Sequence, residues 1–386
     1  MGWMRLPGAL GRIPDLFIRN RLHFTFDGAP VSSAALSYRQ RLNLIKAGID
    51  MMLRRNRVFA LPAVVQIEPT NVCNLQCPIC PTGSNECGRP RGFMSLETFQ
   101  RILDEIGDSL ILAVLYGWGE PFLNKNLPRM IGECTARNIR TMTSTNGHCL
   151  QTLDEALQVV DAGLSLLVIA LDGSTQEIYG TYRKGGNVEK VKRCAALIEE
   201  AKAKRGSPLP YTNLRVVVTR NNYQDLGNLE KIARDSRINM FSYKSLGCLV
   251  QTAEFINFEP EVENLCRFPS SATERRSVVR CPYPFRQPTV FWDGTLVGCE
   301  FDLDLDFPYG KLDYRNLWNS STALHVRRAV RGDLPQPRFC RRCPYRGRTQ
   351  DSCILSHVEL RPPDFSSGSG QNGHRRFGSC TVSPTR

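Results

Sequence analysis

The chain has 386 residues, 41% of them apolar, and carries 50 Lys/Arg against 37 Asp/Glu for a net charge of +13. This composition excludes a fibre, a small disulfide scaffold and a wholly disordered chain, and fits two or three domains with a sizeable buried core. No run approaches the ~18 apolar residues of a membrane span; the strongest, at 110–116 and 164–171, have the length of buried strands.

The N-terminus lacks a signal-peptide core, and Leu6 stands where a myristoylation motif needs Ser or Thr, so the expected location is the cytoplasm. Fifteen cysteines there point to metal or redox chemistry rather than a disulfide framework. Residues 1–60 hold ten Lys/Arg against three Asp, and residues 324–348 hold eight Arg against Asp333. These two patches carry the whole positive excess. They read as solvated faces and counter-charge for a bound anion, with nucleic acid or an acidic membrane as the other partners of such patches.

In chain order, residues 1–61 read as a basic N-terminal extension with an amphipathic helix. Tyr38, Leu42, Ile45, Ile49 and Met52 follow helical spacing, and Arg39, Arg41, Lys46, Arg54 and Arg55 lie mostly elsewhere on the wheel. Such a stripe is expected to pack against the next domain; peripheral membrane contact is the other use. Residues 62–265 alternate apolar runs (63–67, 111–116, 139–143, 166–171, 214–219 and 238–243) with helical patterns (95–106, 124–138, 153–162, 188–204 and 223–236). Six strands with crossover helices predict an α/β fold, a partial (β/α)6 TIM-like barrel, with a doubly wound sheet as the alternative from pattern alone. Functional groups are then expected past the C-terminal ends of the strands. Residues 280–355 form a small domain in which Asp293-Gly294 marks a β-hairpin, and 362–386 read as a disordered tail.

Directly after the first strand stands Cys73-x3-Cys77-x2-Cys80. Three thiolates in one loop hold three irons of a 4Fe-4S cubane and leave the fourth open for a substrate. Cys87 would instead complete a four-cysteine zinc site, which is the structural alternative.

With this loop the chain resembles the radical S-adenosylmethionine (radical SAM) superfamily over about residues 62–265. Gly117-Trp118-Gly119-Glu120-Pro121 is similar to the glycine-rich element that approaches the methionine amino group of the cofactor. Ser144 and Asn146, in Ser144-Thr145-Asn146-Gly147, stand where relatives contact the cofactor. Asp172-Gly173 leads to Tyr182-Arg183-Lys184, similar to a segment whose Arg pairs with the cofactor carboxylate. The resemblance implies S-adenosyl-L-methionine as cofactor, reductive cleavage to methionine and a 5′-deoxyadenosyl radical, and an external one-electron donor such as flavodoxin or ferredoxin.

Cys281, Cys299, Cys340 and Cys343 form a second set, two flanking a hairpin and two in a C-x2-C knuckle. The spacing suits zinc or iron–sulfur equally. Residues 281–343 resemble the SPASM/twitch appendage, which implies an auxiliary 4Fe-4S cluster. A full SPASM pattern has further cysteines, whereas here Cys343 is followed only by Cys353, so one auxiliary cluster of the shortened twitch type is expected. Cys266 and Cys353 read as isolated thiols.

The implied function is oxidation (dehydrogenation) of a carbon centre in a sugar- or aminocyclitol-like intermediate or a peptide, with the auxiliary cluster accepting the electron. Cys248, past the sixth strand, supports the alternative of an epimerase that returns a hydrogen atom from its thiol. An alternative of another class is a zinc-stabilised nucleic-acid-binding protein; the enzyme readings expect no specific nucleic acid.

Overall fold

The computed structural model describes residues 18, 20–53, 55–247, 253–267, 281–343 and 354–362. Strands β1 (Arg21–Phe26) and β2 (Ala29–Ala34) pair as an antiparallel hairpin. Its turn residues Asp27 and Gly28 have φ of 50° and 81°, the doubly positive turn whose twist matches the strands and which Asp-Gly adopts readily. Helix α1 (Tyr38–Met52) starts in a capping box: the Ser37 side chain accepts from the Gln40 N–H, and the Gln40 side chain accepts from the Ser37 N–H.

Six strands then lie side by side in chain order, all parallel: β3 (Val64–Ile67), β4 (Leu112–Val114), β5 (Arg140–Thr145), β6 (Leu166–Ala170), β7 (Tyr211–Val218) and β8 (Met240–Ser245). Helices α2 (Leu96–Ile106), α3 (Leu127–Ala136), α4 (Leu153–Asp161), α5 (Gln176–Tyr182), α6 (Val188–Arg205) and α7 (Leu226–Asp235) connect them. Every expected strand and helix of this region is present. The addition is α5, whose seven residues are too few for a periodic signal. β6 is buried at four of its five positions, which explains its unbroken Leu-Leu-Val-Ile run.

After α8 (Ala253–Phe258) and α9 (Tyr283–Arg286), the hairpin expected around Asp293-Gly294 forms from β9 (Thr289–Val290) and β10 (Thr295–Val297). It is continuous with the large sheet, because β9 pairs parallel with β3. β11 (Gly310–Lys311), α10 (Tyr314–Leu317), α11 (Ser321–Arg331) and α12 (Arg338–Arg341) complete this part, and β12 (Ile354–Glu359) pairs antiparallel with β8 at the opposite edge. Among the described residues the ten strands run in one linear order from β11 to β12.

One sheet face, with Val65, Ile67, Leu167, Ile169 and Phe241, packs under the helices. On the other, Leu112, Leu166, Tyr211 and Met240, the first residues of their strands, pack with Phe26, Ala29 and Val31. The β1–β2 hairpin therefore plugs the N-terminal end of the inner face. Its sequence signal was the Asp27-Gly28 pair between β-forming residues.

The expectation for α1 is corrected. The helix packs through Gln40, Asn43 and Asp50, while Tyr38, Ile45 and Met52 of the apolar stripe are exposed. Gln40 Nε2 donates to the Leu110 carbonyl at 2.6 Å, Asn43 exchanges two hydrogen bonds with the Leu61 backbone, and Asp50 accepts from the Phe59 and Ala60 N–H groups. Unpaired backbone groups at the sheet's lower edge need these polar partners.

Candidate functional site

The C-terminal ends of the parallel strands surround a cavity of about 350 Å³. Cys73, Cys77 and Cys80 all line it, in the loop that leaves β3. Two close approaches fix this loop. A Cβ on Gly83 would lie 2.5 Å from the Cys77 backbone, and one on Gly119 would lie 2.3 Å from the Thr70 carbonyl, so only glycine fits either position.

Gly117, Gly119, Glu120, Ser144, Asn146 and Arg183 line the same cavity. Asn146 Nδ2 donates to Asn74 Oδ1 at 2.8 Å and lies 3.9 Å from Cys73 Sγ. Glu120 is buried and its carboxylate accepts from Thr145 Oγ1, the Asn146 N–H and the Phe122 N–H. It thus ties the second strand-end loop to the third. Burial pushes its carboxyl up to about 7, against those three donors.

Asp172 is the exception: it does not line the cavity. It is buried, ion-paired with Arg183, and accepts from the Val217 N–H at 2.7 Å. Its place is behind the guanidinium, which it aims so that Arg183 Nη1 lies 3.8 Å from Cys77 Sγ.

Among the described residues no group of three or more His, Cys, Asp or Glu is placed to hold a single metal ion, and the fit of the thiols to a larger iron–sulfur group rests on shared placement and charge. Burial pushes Cys73 up to about 11, and negative charge on Glu120, Cys80 and Cys77 adds to the shift. Cys77 is also raised by burial, with the Arg183 cation opposing it. Three crowded thiols of this kind suit a cationic iron–sulfur group that draws off their protons. Cys87 is not among the cavity-lining residues, which disfavours the four-cysteine zinc alternative.

In the second set, Cys281 and Cys343 lie near enough to Cys299 to act on its charge. Cys299 is buried, and its thiol is raised by burial and then by Cys281 and Cys343; the Cys343 N–H bonds to the Cys340 carbonyl. The segment carrying Cys299 continues into the cavity wall. Glu300 and Phe301 line the cavity, Gln66 Nε2 donates to Glu300 Oε2 at 2.7 Å, and Trp118 Nε1 donates to the Glu300 carbonyl at 3.0 Å.

Two further groups escaped sequence reading. Glu68 and Arg89 form a bidentate pair, both arms at 2.9 Å and 5% exposed or less. Arg89 stacks 3.6 Å over Phe291, and Glu68 accepts from the Trp292 N–H, so the pair joins β3 to the appended hairpin. Asp27 and Arg215 form an ion pair that also lines the cavity, with Asp27 supplied by the β1–β2 turn. No local pattern announces pairs whose members lie so far apart in sequence.

Cys266 is buried and donates its thiol to the Pro260 carbonyl at 3.0 Å. Cys248, Cys353 and the 363–386 tail lie outside the described residues. No helix among the described residues is long and apolar enough to cross a membrane.

Comparison with known proteins agrees with this geometry. The radical SAM superfamily model matches residues 67–232, and that of the SPASM iron–sulfur cluster-binding domain matches 281–344. The chain is 28% identical over 200 residues to a probable GTP 3′,8-cyclase of Methanocaldococcus jannaschii, covering 52% of this chain and 61% of that protein. It is 31% identical over 180 residues to the PqqA peptide cyclase of Granulibacter bethesdensis, covering 45% and 44%. The chain thus matches less than two thirds of the length of these curated relatives. Streptococcus suis SuiB bound to S-adenosylmethionine shares the fold with a TM-score of 0.55 at 13% identity, covering 73% of this chain and 71% of SuiB. The complex of anSMEcpe with AdoMet and the Kp18Cys peptide does so with a TM-score of 0.53 at 18% identity, covering 76% and 92%. The chain carries a radical SAM domain over residues 67–232 and a SPASM iron–sulfur cluster-binding domain over residues 281–344.

Proposed function

We propose that this enzyme dehydrogenates a carbon centre of a sugar- or aminocyclitol-like intermediate or a peptide side chain. Cys73, Cys77 and Cys80 would hold the SAM-binding cluster, and Cys281, Cys299, Cys340 and Cys343 one auxiliary cluster. When bound, these groups supply reductive cleavage of S-adenosylmethionine to a hydrogen-abstracting 5′-deoxyadenosyl radical and an acceptor for the electron left on the substrate. Arg183, fixed by Asp172, offers a cation for the cofactor carboxylate. Asn146 and the backbone at Gly117 and Gly119 border the same space, and Glu120 holds the two loops together. Asp27, Arg215, Gln66 and Glu300 add polar groups to a wall otherwise lined by apolar residues such as Val114, Val168 and Leu246, a mixture that suits a substrate with hydroxyl or amide groups.

One observation carries the reading: residues 299–301 run from the second cysteine set directly into the wall of the cavity that holds the first. The peptide-modifying relatives support peptides as substrates, and a small polar metabolite fits the cavity equally.

The test is anaerobic reconstitution of wild type and of Cys281→Ala/Cys299→Ala, with dithionite and S-adenosylmethionine. About eight irons per chain should fall to about four in the variant. The variant should still release 5′-deoxyadenosine yet fail to oxidise substrate. Retained oxidation, or no 5′-deoxyadenosine from wild type, would overturn the proposal.

A further inference from the structure

Helix α1 carries its polarity inside out. Gln40, Asn43 and Asp50 face the protein, while Tyr38, Ile45 and Met52, on the opposite side of the wheel, are 69%, 39% and 62% exposed. Leu53 and Phe59 extend this apolar surface at the helix C-terminus, at 61% and 56% exposure. Apolar area of this kind on a helix surface marks a contact site.

Cations surround it. Lys46 and Arg57 are exposed, and the Arg55 guanidinium stacks 4.0 Å over Phe59. From α11, the buried Arg327 donates to the Asn56 carbonyl and Arg331 to the Arg55 carbonyl. Arg327 is itself buried, so of the second basic cluster it is Arg331 that these bonds hold beside the end of α1.

The face also has a definite position. α1 is bonded to backbone just before β3 and β4, at Leu61 and Leu110, so it lies at the N-terminal edge of the sheet, opposite the cysteine loop. An occupant here leaves the cavity mouth open.

We propose that this face docks on a lipid bilayer containing anionic headgroups. An apolar stripe with cations beside it inserts among acyl chains while its charges meet phosphates. A second copy of the chain fits poorly, because it would press one basic surface against another. Residues 1–17 fit poorly too, because with Arg5 and Arg12 against Asp15 they bring no counter-charge.

Flotation of the full chain with phosphatidylcholine vesicles, and with vesicles containing about one third phosphatidylglycerol, tests this. Wild type should float with the anionic vesicles and bind neutral ones at least about tenfold more weakly. Raising salt from about 0.1 M to about 0.5 M should weaken binding by a similar factor. Ile45→Glu/Met52→Glu should lose at least about tenfold, as should Lys46→Glu/Arg57→Glu. Both pairs sit on the exposed side, and unchanged 5′-deoxyadenosine release shows that they fold. Four results would overturn the proposal: no flotation of wild type, equal binding to both vesicles, binding indifferent to the Ile45/Met52 pair, or binding only after removal of residues 1–17. A wild-type dimer in sedimentation that ignores vesicles and dissociates in Ile45→Glu/Met52→Glu would assign the face to self-association instead.

Discussion

The two cysteine sets are built in opposite ways. Cys73, Cys77 and Cys80 come from eight consecutive residues, and their convergence is enforced by one loop pinned at Gly83 and Gly119. Cys281, Cys299, Cys340 and Cys343 come from a hairpin and a helix turn some forty residues further on, so their approach depends on contacts between separate segments. A local loop keeps its thiols near one another even in a loosened fold, whereas a composite site depends on every contact between its segments. The first set should therefore tolerate damage to packing, and the second should not.

The joint between them offers the largest effect. Arg89→Met leaves Glu68 buried without its partner, and removal of one member of such a pair costs about 3–5 kcal/mol. Chemical denaturation should register that loss, and iron analysis should show the auxiliary cluster failing before the SAM-binding one. Equal loss of both would contradict the comparison.

Arg183→Gln acts on the first set alone. It removes the cation beside Cys77 and leaves Asp172 buried without its ion pair. A reduction in 5′-deoxyadenosine release of about 10–100-fold is expected, with near-normal iron content. An unchanged rate would remove Arg183 from the cofactor site.

A pH titration of the apoprotein reaches a subtler difference. Glu120 sits at about 7 in the fold against an ordinary 4.5, raised by burial. The folded state then holds more protons than the unfolded one between these values. Its contribution to stability is full below about 4.5 and declines as pH rises through about 7, by an amount on the order of 3 kcal/mol. Glu120→Gln should flatten that slope in urea melts across this range. An identical slope would show that Glu120 titrates normally.

The smallest effect is expected from Cys248→Ala. A dehydrogenase has no need of a hydrogen-donating thiol, so product formation should hardly change. Stalled turnover, with solvent deuterium entering the wild-type product, would favour the epimerase.

Composition, motif spacing and apolar periodicity determined the strand and helix order, the first metal loop and the glycine-rich element, because each is encoded within a few residues or by repeats of known period. The Cys281–Cys343 set was legible as a pattern, but not that Glu300 and Phe301 beside it form a wall of the cavity. That relation, like the Glu68–Arg89 and Asp27–Arg215 pairs, exists only where distant segments meet across the sheet. The orientation of α1 was decided in the same way. Periodicity identified its two faces, but the backbone groups of Leu61, Leu110, Phe59 and Ala60 chose the polar one, because hydrogen-bonding groups at a sheet edge must be paired wherever water is excluded.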